Sequence, residues 1–238
     1  MMFASPLIKG HFIRRYKRFL ADVSLENGEV VTTHCPNPGA MQGLQEEGSQ
    51  VYLSSSDNMK RKYPLTWELV EADCNGSPQW VGINSSKANT ICHEALSQNI
   101  ISQLAGYTHI RPEAPYGQNS RVDFLLSGEN RAECYVEVKN CHLMRKPGLA
   151  EFPDSISIRA AKHMKELTNM KEQGARAVVL FIIQMKADHF TIARDIDPGY
   201  DQAFRNALAS GVEAYAYTCE VSPESITIDK QVPILTSD

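Results

Sequence analysis

The first 83 residues alternate between short apolar-rich runs and turn residues. Alternation of apolar and polar positions predicts half-buried strands, because successive side chains of a strand point to opposite faces. Turn residues such as Asn27-Gly28 and Pro36-Asn37-Pro38-Gly39 separate the runs. The runs are HFIRRYKRFLADVSL, GEVVTTHC, SQVYLSSS, LTWELVEA and PQWVGIN. Closely spaced strands of this kind favour a small OB-like β-barrel, although an SH3-like barrel would give the same pattern.

From residue 84 the pattern changes to helices mixed with strands. The predicted elements are a helix over 85–105, strands over 121–126 and 133–139, a helix over 154–173, strands over 175–185 and 189–193, a helix over 198–209 and a strand over 212–219. The run ARAVVLFIIQM is continuously apolar, as expected for a strand that is covered on both faces. In the second helix, the spacing places Ile158, Ala161, Met164 and Leu167 on the inner face. This order predicts an α/β domain over 84–238 packed on a barrel over 1–83, with no flexible linker between them.

Two of the predicted strands carry charged residues in a pattern that indicates chemistry. In CYVEVKN, alternation places the valines in the core and Glu137 and Lys139 on the opposite face. In RVDFLL, the same alternation places Asp123 on the face opposite Val122, Phe124 and Leu126. A hairpin through residues 127–130 would bring Asp123 beside Glu137. Two neighbouring carboxylates repel each other unless a cation joins them.

A divalent metal ion would satisfy these carboxylates. Mg²⁺ or Mn²⁺ suits the pair, since Mg²⁺ is usually held by one or two carboxylates and keeps several waters. Lys139 would then position a water or stabilise charge on a phosphate, as in metal-dependent phosphodiester hydrolysis. On the first helix, Glu94 falls inside the apolar arc, where a charge needs a partner. A metal shared with Asp123 and Glu137 would supply that partner, and so would Lys139 alone; an ordinary surface ion pair also explains Glu-x-Lys.

Three groups of residues are candidates for contact with nucleic acid. Lys and Arg neutralise phosphates and drive sequence-independent binding, and a tyrosine can stack on a base. The groups are Arg14, Arg15, Lys17 and Arg18; Lys60, Arg61, Lys62 and Tyr63; and Arg159, Lys162 and His163 at the start of the second helix. A solvated strand or helix face explains each group as well. No base-reading motif is evident, so the sequence supports no specific DNA sequence preference.

The order of a helix Glu, a strand Asp and a following Glu-x-Lys resembles the PD-(D/E)-x-K nuclease superfamily. Longer blocks resemble the sugar fermentation stimulation protein A family, and they cover nearly the whole chain. The blocks are HCPNPGAM (34–41), SDNMKRKYPLTWEL (56–69), RVDFLL (121–126), YVEVKN (135–140), FPDS (152–155) and KHMKEL (162–167). The resemblance implies a DNA-binding protein with an N-terminal OB-like domain and a C-terminal domain of restriction-endonuclease-like fold. It also implies Glu94, Asp123, Glu137 and Lys139 as catalytic residues, with the three acids as metal ligands.

Composition indicates where the protein is located more clearly than what it does. A net charge of −4 argues against a uniformly basic surface but not against a local basic groove. No apolar run has the length of a membrane helix, and no secretory signal is evident. The six cysteines are widely separated, as is typical of reduced thiols. A cytoplasmic protein without membrane contact is therefore expected.

Taken together, the sequence predicts a DNA-binding protein with a Mg²⁺- or Mn²⁺-dependent nuclease centre. A non-catalytic DNA-binding regulator of sugar-metabolism genes that keeps the nuclease-like fold is one alternative, and an RNA-processing role is another. The enzyme is favoured because two facing carboxylates without a metal would repel phosphate. The sequence leaves open the preferred nucleic-acid structure and whether two copies pair as a homodimer.

Overall fold

The computed structural model describes residues 1–74, 76, 78–117 and 120–236. Its N-terminal sheet contains β1 (Ile8–Tyr16), β2 (Leu20–Leu25), β3 (Val30–His34), β4 (Gln50–Ser55), β5 (Leu65–Asp73) and β6 (Pro78–Gly82). The strand order is β3-β2-β1-β4-β5-β6, and pairing of β3 with β5 closes the first five strands into a barrel. Phe12 stacks on Trp67 in its core, with ring centroids 4.9 Å apart. The predicted OB-like barrel is confirmed.

The run HFIRRYKRFLADVSL, predicted as one strand, is a hairpin of β1 and β2. Lys17 and Arg18 have φ angles of 48° and 67°, and these left-handed conformations reverse the chain. Residues other than Gly, Asn and Asp seldom adopt such angles, so no turn signal marked this position. The strand alternation predicted for the run therefore ends at Tyr16.

The C-terminal part forms the predicted α/β domain, and its central sheet is mixed. Its described elements are α1 (Lys87–Ser97), a short 3-10 helix (Ser102–Leu104), β7 (His109–Tyr116), β8 (Ser120–Ser127), β9 (Cys134–Cys141), β10 (Leu143–Lys146), β11 (Leu149–Phe152), α2 (Ile158–Glu172), β12 (Arg176–Ile183), β13 (His189–Ile192), α3 (Pro198–Ala209), β14 (Glu213–Val221), β15 (Ile226–Val232) and β16 (Ile234–Leu235). The central sheet has the order β15-β14-β12-β9-β8-β7, and β10-β11-β13-β16 form a smaller sheet. β12 runs parallel to both of its neighbours, β9 and β14.

Helices cover both faces of the central sheet. α1 packs with Val136 and Val138 on one face, and α2 and α3 pack with Val179 and Phe181 on the other. β12 is consequently buried from Ala177 to Ile183, as its continuous apolar run predicted. Because Glu137 pairs with Val179 in the parallel register, its side chain points to the α2 face.

The first predicted helix ends earlier than expected, and the second begins later. The first helix ends at Ser97, because Asn99 takes a φ of 55° and a 3-10 helix follows. The second begins at Ile158 rather than at Asp154, and the Ser157 hydroxyl caps it by accepting a hydrogen bond from the Ala160 N–H. Ile158 is therefore not on the inner face as predicted. It is 86% exposed.

No helix in the described ranges is long and apolar enough to cross a membrane.

The barrel and the α/β domain meet through hydrogen bonds at the end of β6. Gly82 N–H donates to the Gln184 carbonyl at 2.9 Å, and the Gln184 amide donates to the Asn84 carbonyl at 3.2 Å. A Cβ on Gly82 would lie 2.9 Å from the Cβ of Gln184, which cannot move without its backbone, so this approach requires glycine. The contact sets the position of the barrel against β12, and with it the shape of the cleft described next.

Candidate active site

A cleft of about 740 Å³ lies between the barrel and the α/β domain. The barrel contributes Arg18 and the loop 37–39 to its wall. The α/β domain contributes the start of α1, parts of β8 and β9, the segment 152–157 and the first turns of α2. Asp123, Glu137 and Lys139 all line it and are called the cleft floor here.

Glu137 is the most buried residue of the cleft floor, with 2% of its surface exposed. Its Oε1 accepts a hydrogen bond from Lys139 Nζ at 2.7 Å and contacts the Nδ1 atom of His163. Burial alone would raise the pKa of Glu137, but the charge of Lys139 and the hydrogen bond with His163 bring it below its ordinary value. Its Oε2 is buried and has no hydrogen-bond partner among the described residues.

Asp123 lies where β8 and β9 separate. Their antiparallel pairing ends at Phe124 and Val136, so Asp123 is the next residue along β8 towards Glu137. Its Oδ2 accepts the Val138 N–H at 2.7 Å, and its Oδ1 accepts the Asn89 amide at 2.8 Å. Burial and the charge of Glu137 raise the pKa of Asp123. The carboxylates thus repel each other, as the sequence-derived register implied.

These two carboxylates fit a hard divalent cation. The hydrogen-bond-free Oε2 of Glu137 is an available ligand atom, and Mg²⁺ commonly uses one or two carboxylates. In the part of the chain that the structure describes, no group of three or more His, Cys, Asp or Glu side chains is arranged to hold a metal ion. A cation here would therefore complete its coordination shell with water, backbone oxygen or substrate.

Glu94 does not reach the cleft floor. Its Oε2 lies 2.7 Å from the N-terminal amine of Met1, and its side chain is 41% exposed. The cleft-facing residue of α1 that contacts Asp123 is Asn89. The structure corrects the prediction that Glu94 shares a metal with Asp123 and Glu137, because the partner that its charge requires is the Met1 ammonium.

The predicted basic residues divide between the cleft and the outer barrel surface. Arg18, Arg159, Lys162 and His163 line the cleft, whereas Arg14, Arg15, Lys17, Lys60, Arg61, Lys62 and Tyr63 do not. Arg15 supports the cleft wall indirectly, by donating to the carbonyls of Asn37 and Gly39. Arg14 pairs with Asp22 at 2.9 Å, and Lys62 lies over the ring of Tyr63. His163 is buried against Glu137, so it is a partner of that carboxylate rather than an exposed phosphate contact.

Sequence reasoning assigned no role to a further acid in the cleft, Asp154. Its Oδ2 lies 3.0 Å from His142 Nε2 and accepts the Met41 N–H at 2.9 Å. Burial raises the pKa of Asp154, but the hydrogen bond and charge of His142 outweigh it and lower the pKa to about 2. The blocks FPDS and HCPNPGAM, which carried the family resemblance without an assigned role, meet in this contact. Asp154 therefore ties the barrel loop to the α/β domain.

We expect Asp154→Asn to lower the free energy of unfolding at neutral pH by on the order of 2 kcal/mol. Because the pKa of Asp154 is lowered to about 2, its stabilising effect is present above the ordinary pKa of aspartate. The effect is lost as the pH falls from about 4 to about 2. Urea denaturation at neutral and acidic pH measures it, with Asp188→Asn, whose side chain is 72% exposed, as the control. Identical pH profiles for Asp154→Asn and wild type would contradict the assignment.

Comparison with known proteins covers both parts of the chain. The family model of the SfsA N-terminal OB domain matches residues 13–83, and that of the sugar fermentation stimulation protein RE domain matches residues 86–225. The sugar fermentation stimulation protein homolog of Methylorubrum populi is 57% identical over 237 residues, covering 100% of this chain and 96% of the relative. The homolog of Maricaulis maris is 49% identical over 235 residues, covering 98% of each. The structure of Pyrococcus furiosus SfsA in complex with Ca²⁺ has a TM-score of 0.87 and 25% identity, covering 99% of this chain and 98% of that one.

Proposed function

Since this chain belongs to the sugar fermentation stimulation protein family, we propose that it binds DNA and hydrolyses phosphodiester bonds in the cleft with Mg²⁺ or Mn²⁺. The observation that carries the proposal is the meeting of Asp123, Glu137 and Lys139 at the cleft floor. A phosphate that enters would meet two metal-binding carboxylates and an ammonium group in one place. The Ca²⁺ bound by the Pyrococcus furiosus relative supports a divalent-cation site.

The distribution of charge in the cleft supports nucleic acid as the substrate. Arg18, Arg121, Arg159 and Lys162 are exposed along its edge and are called the cleft rim here. The carboxylates of the cleft floor lie below them and are largely buried. The exposed positive charges of the rim attract the phosphate backbone, so this attraction does not depend on the charge of the cleft floor. The overall charge of −4 is therefore compatible with DNA binding.

Each residue of the cleft floor has a distinct role in this proposal. Asp123 and Glu137 would hold the cation, which when bound would polarise a phosphoryl oxygen and lower the pKa of a water ligand. Lys139 places a positive charge where negative charge develops on the phosphate during hydrolysis. His163 contacts Glu137 from α2 and so positions its carboxylate. Arg159 and Lys162 would bind the flanking phosphates.

One observation favours a second candidate, a non-catalytic DNA-binding protein that keeps the nuclease-like fold. Glu137 Oε1 is already engaged by Lys139 and His163, and a carboxylate paired in this way needs no metal. The described residues also lack a three-ligand cluster. On this reading, Asp123 remains a buried carboxylate next to Glu137 without a cation between them, and burial together with the charge of Glu137 raises its pKa.

A cleavage assay distinguishes the two candidates. The purified protein is incubated with labelled single-stranded, duplex and branched DNA, and with single-stranded RNA, in Mg²⁺, in Mn²⁺ or in EDTA. We expect metal-dependent cleavage of at least one DNA substrate and none in EDTA. Binding without cleavage of any substrate, together with no heat of metal binding by calorimetry, would support the non-catalytic candidate. Cleavage of RNA alone would assign the substrate to RNA.

We expect DNA affinity to fall steeply with salt, because phosphate contacts release counterions. Removing two contacting side chains should reduce the slope of log affinity against log salt by about 2. Arg61→Ala/Lys62→Ala tests the barrel loop, and Arg159→Ala/Lys162→Ala tests the cleft rim. Fluorescence anisotropy over a salt series measures the slope, with Lys186→Ala, which pairs with Glu220 outside the cleft, as the control. Salt-independent affinity would contradict binding driven by phosphates.

A further inference from the structure

Two isoleucines at the entrance of α2 are exposed beside the cleft. Ile156 is 75% exposed and lines the cleft, and Ile158, the first residue of α2, is 86% exposed. Single exposed apolar residues are ordinary on protein surfaces. Here two large ones stand two positions apart, next to Arg159 of the cleft rim. The buried position of this turn is taken by Ala160, so the packing of α2 does not use Ile158.

The backbone that carries these isoleucines is held on both sides of Ser157. The Ser157 N–H donates to Asp197 Oδ2 at 2.8 Å, and the Ser157 hydroxyl accepts the Ala160 N–H at 3.2 Å. Asp197 is itself buried and caps α3 by accepting the Tyr200 N–H at 2.9 Å. The segment is therefore anchored to two helices. An anchored backbone needs little further ordering when its apolar side chains contact a ligand.

We propose that Ile156 and Ile158 insert beside unstacked bases, so that the preferred ligand is a single strand or a duplex opened by a bulge, mispair or junction. The inference rests on the DNA-binding part of the proposed function. Apolar side chains such as Ile, Leu and Phe unstack base steps when they insert, and the cost is lowest where pairing is already lost. In an intact duplex the base faces are stacked on one another and are not available to the two isoleucines.

The charges around the two isoleucines favour nucleic acid over a second copy of this chain. Arg159 follows Ile158 directly, and Arg18 stands on the barrel side of the cleft, where its Nε donates to the Pro38 carbonyl at 3.0 Å. These residues would hold phosphates while the isoleucines contact bases. Two isoleucine side chains also provide far less area than the roughly 1,000 Å² that a stable protein interface needs.

The test measures binding in EDTA, so that metal-dependent cleavage cannot interfere. Fluorescence anisotropy compares a single strand, its perfect duplex and the same duplex with an unpaired bulge. Wild type should bind the single strand and the bulged duplex more tightly than the perfect duplex. The double variant Ile156→Ser/Ile158→Ser should bind the single strand and the bulged duplex about tenfold more weakly than wild type does. It should bind the perfect duplex less than about twofold more weakly. Ile100→Ser, an exposed isoleucine outside the cleft lining, is the control and should change none.

A base analogue reports the insertion directly. 2-Aminopurine placed at the bulge should brighten when wild type binds and should not when the double variant binds, because unstacking relieves its quenching. Equal affinity of wild type for all three ligands, or an unchanged double variant, would overturn this inference and leave DNA binding intact. Failure to bind any of them would remove the proposed function as well. A double variant that becomes monomeric while wild type is dimeric by ultracentrifugation would assign the isoleucines to self-association and overturn the inference.

Discussion

Lys139→Ala is expected to slow metal-dependent DNA cleavage by about a hundredfold or more while changing DNA affinity little. The Lys139 ammonium lies 2.7 Å from Glu137 Oε1, and only 11% of the side chain is exposed. A charge in so shielded a position acts on a developing negative charge more strongly than a charge at the surface does. Affinity should persist because the cleft rim supplies the phosphate contacts. Single-turnover cleavage in Mg²⁺ and anisotropy in EDTA measure the two effects separately.

Two further variants separate a catalytic Lys139 from a structural one. Lys139→Arg keeps the charge but not the compact geometry of an ammonium, so it should recover only part of the rate. Lys162→Ala removes a charge from the cleft rim and should weaken binding more than it slows cleavage. Loss of one partner of a buried pair costs about 3–5 kcal/mol, so thermal unfolding must first show each variant folded at the assay temperature. If folded Lys139→Ala cleaves DNA at the wild-type rate, Lys139 serves only as the ion-pair partner of Glu137.

Saturating Mg²⁺ or Mn²⁺ is expected to raise the Tm by about 5 to 10 °C, and Asp123→Asn should abolish the rise. An ion at a hundredfold its Kd stabilises the folded state by about 2.7 kcal/mol, and each kcal/mol raises the Tm of a chain of this size by about 2–4 °C. Asp123 is central because burial and the charge of Glu137 raise its pKa, so its ionised form destabilises the metal-free protein. Scanning calorimetry with and without EDTA measures the shift.

The effect of pH follows from the same raised pKa. Between the ordinary pKa of aspartate and the raised one, the folded state binds more protons than the unfolded state, so stability increases as the pH falls through that window. Asp123→Asn should lack this part of the pH dependence. Glu94→Gln is the matched control, since Glu94 lies on the Met1 amine and should leave the metal-induced shift intact. A metal-induced shift that survives in Asp123→Asn would place the ion elsewhere.

Local pattern was sufficient to predict that Asp123, Glu137 and Lys139 lie together. Strand alternation separates Glu137 and Lys139 from the core valines, and a short hairpin then brings Asp123 next to them. Both inferences depend only on the period of a strand and on residues close in sequence. The β-rich texture before residue 84 and the buried run of β12 predicted the two-part fold for the same reason.

Helix periodicity was a weaker guide than strand alternation. An apolar arc spans a wide angle, so it does not decide which polar residue at its edge faces a neighbouring site. The rotation of α1 on the sheet directs Asn89 to Asp123 and Glu94 to Met1. Likewise, Ile158 fits the apolar arc of α2 but is exposed. Ser157 is the N-cap, so Ile158 is the first residue of the helix and does not reach the core.

The sequence by itself determined which residues share a strand face, because that depends on backbone geometry over a few residues. Only the tertiary structure decided what encloses them. Asp154 meets Met41 across 113 positions of the chain, and His163 meets Glu137 across 26. Contacts at such separations depend on how the barrel seats on the sheet and how α2 turns over it, and packing of the whole core sets both. Which residues form the cleft floor was therefore predictable from local sequence, whereas its walls, its rim and the partner of Glu94 were not.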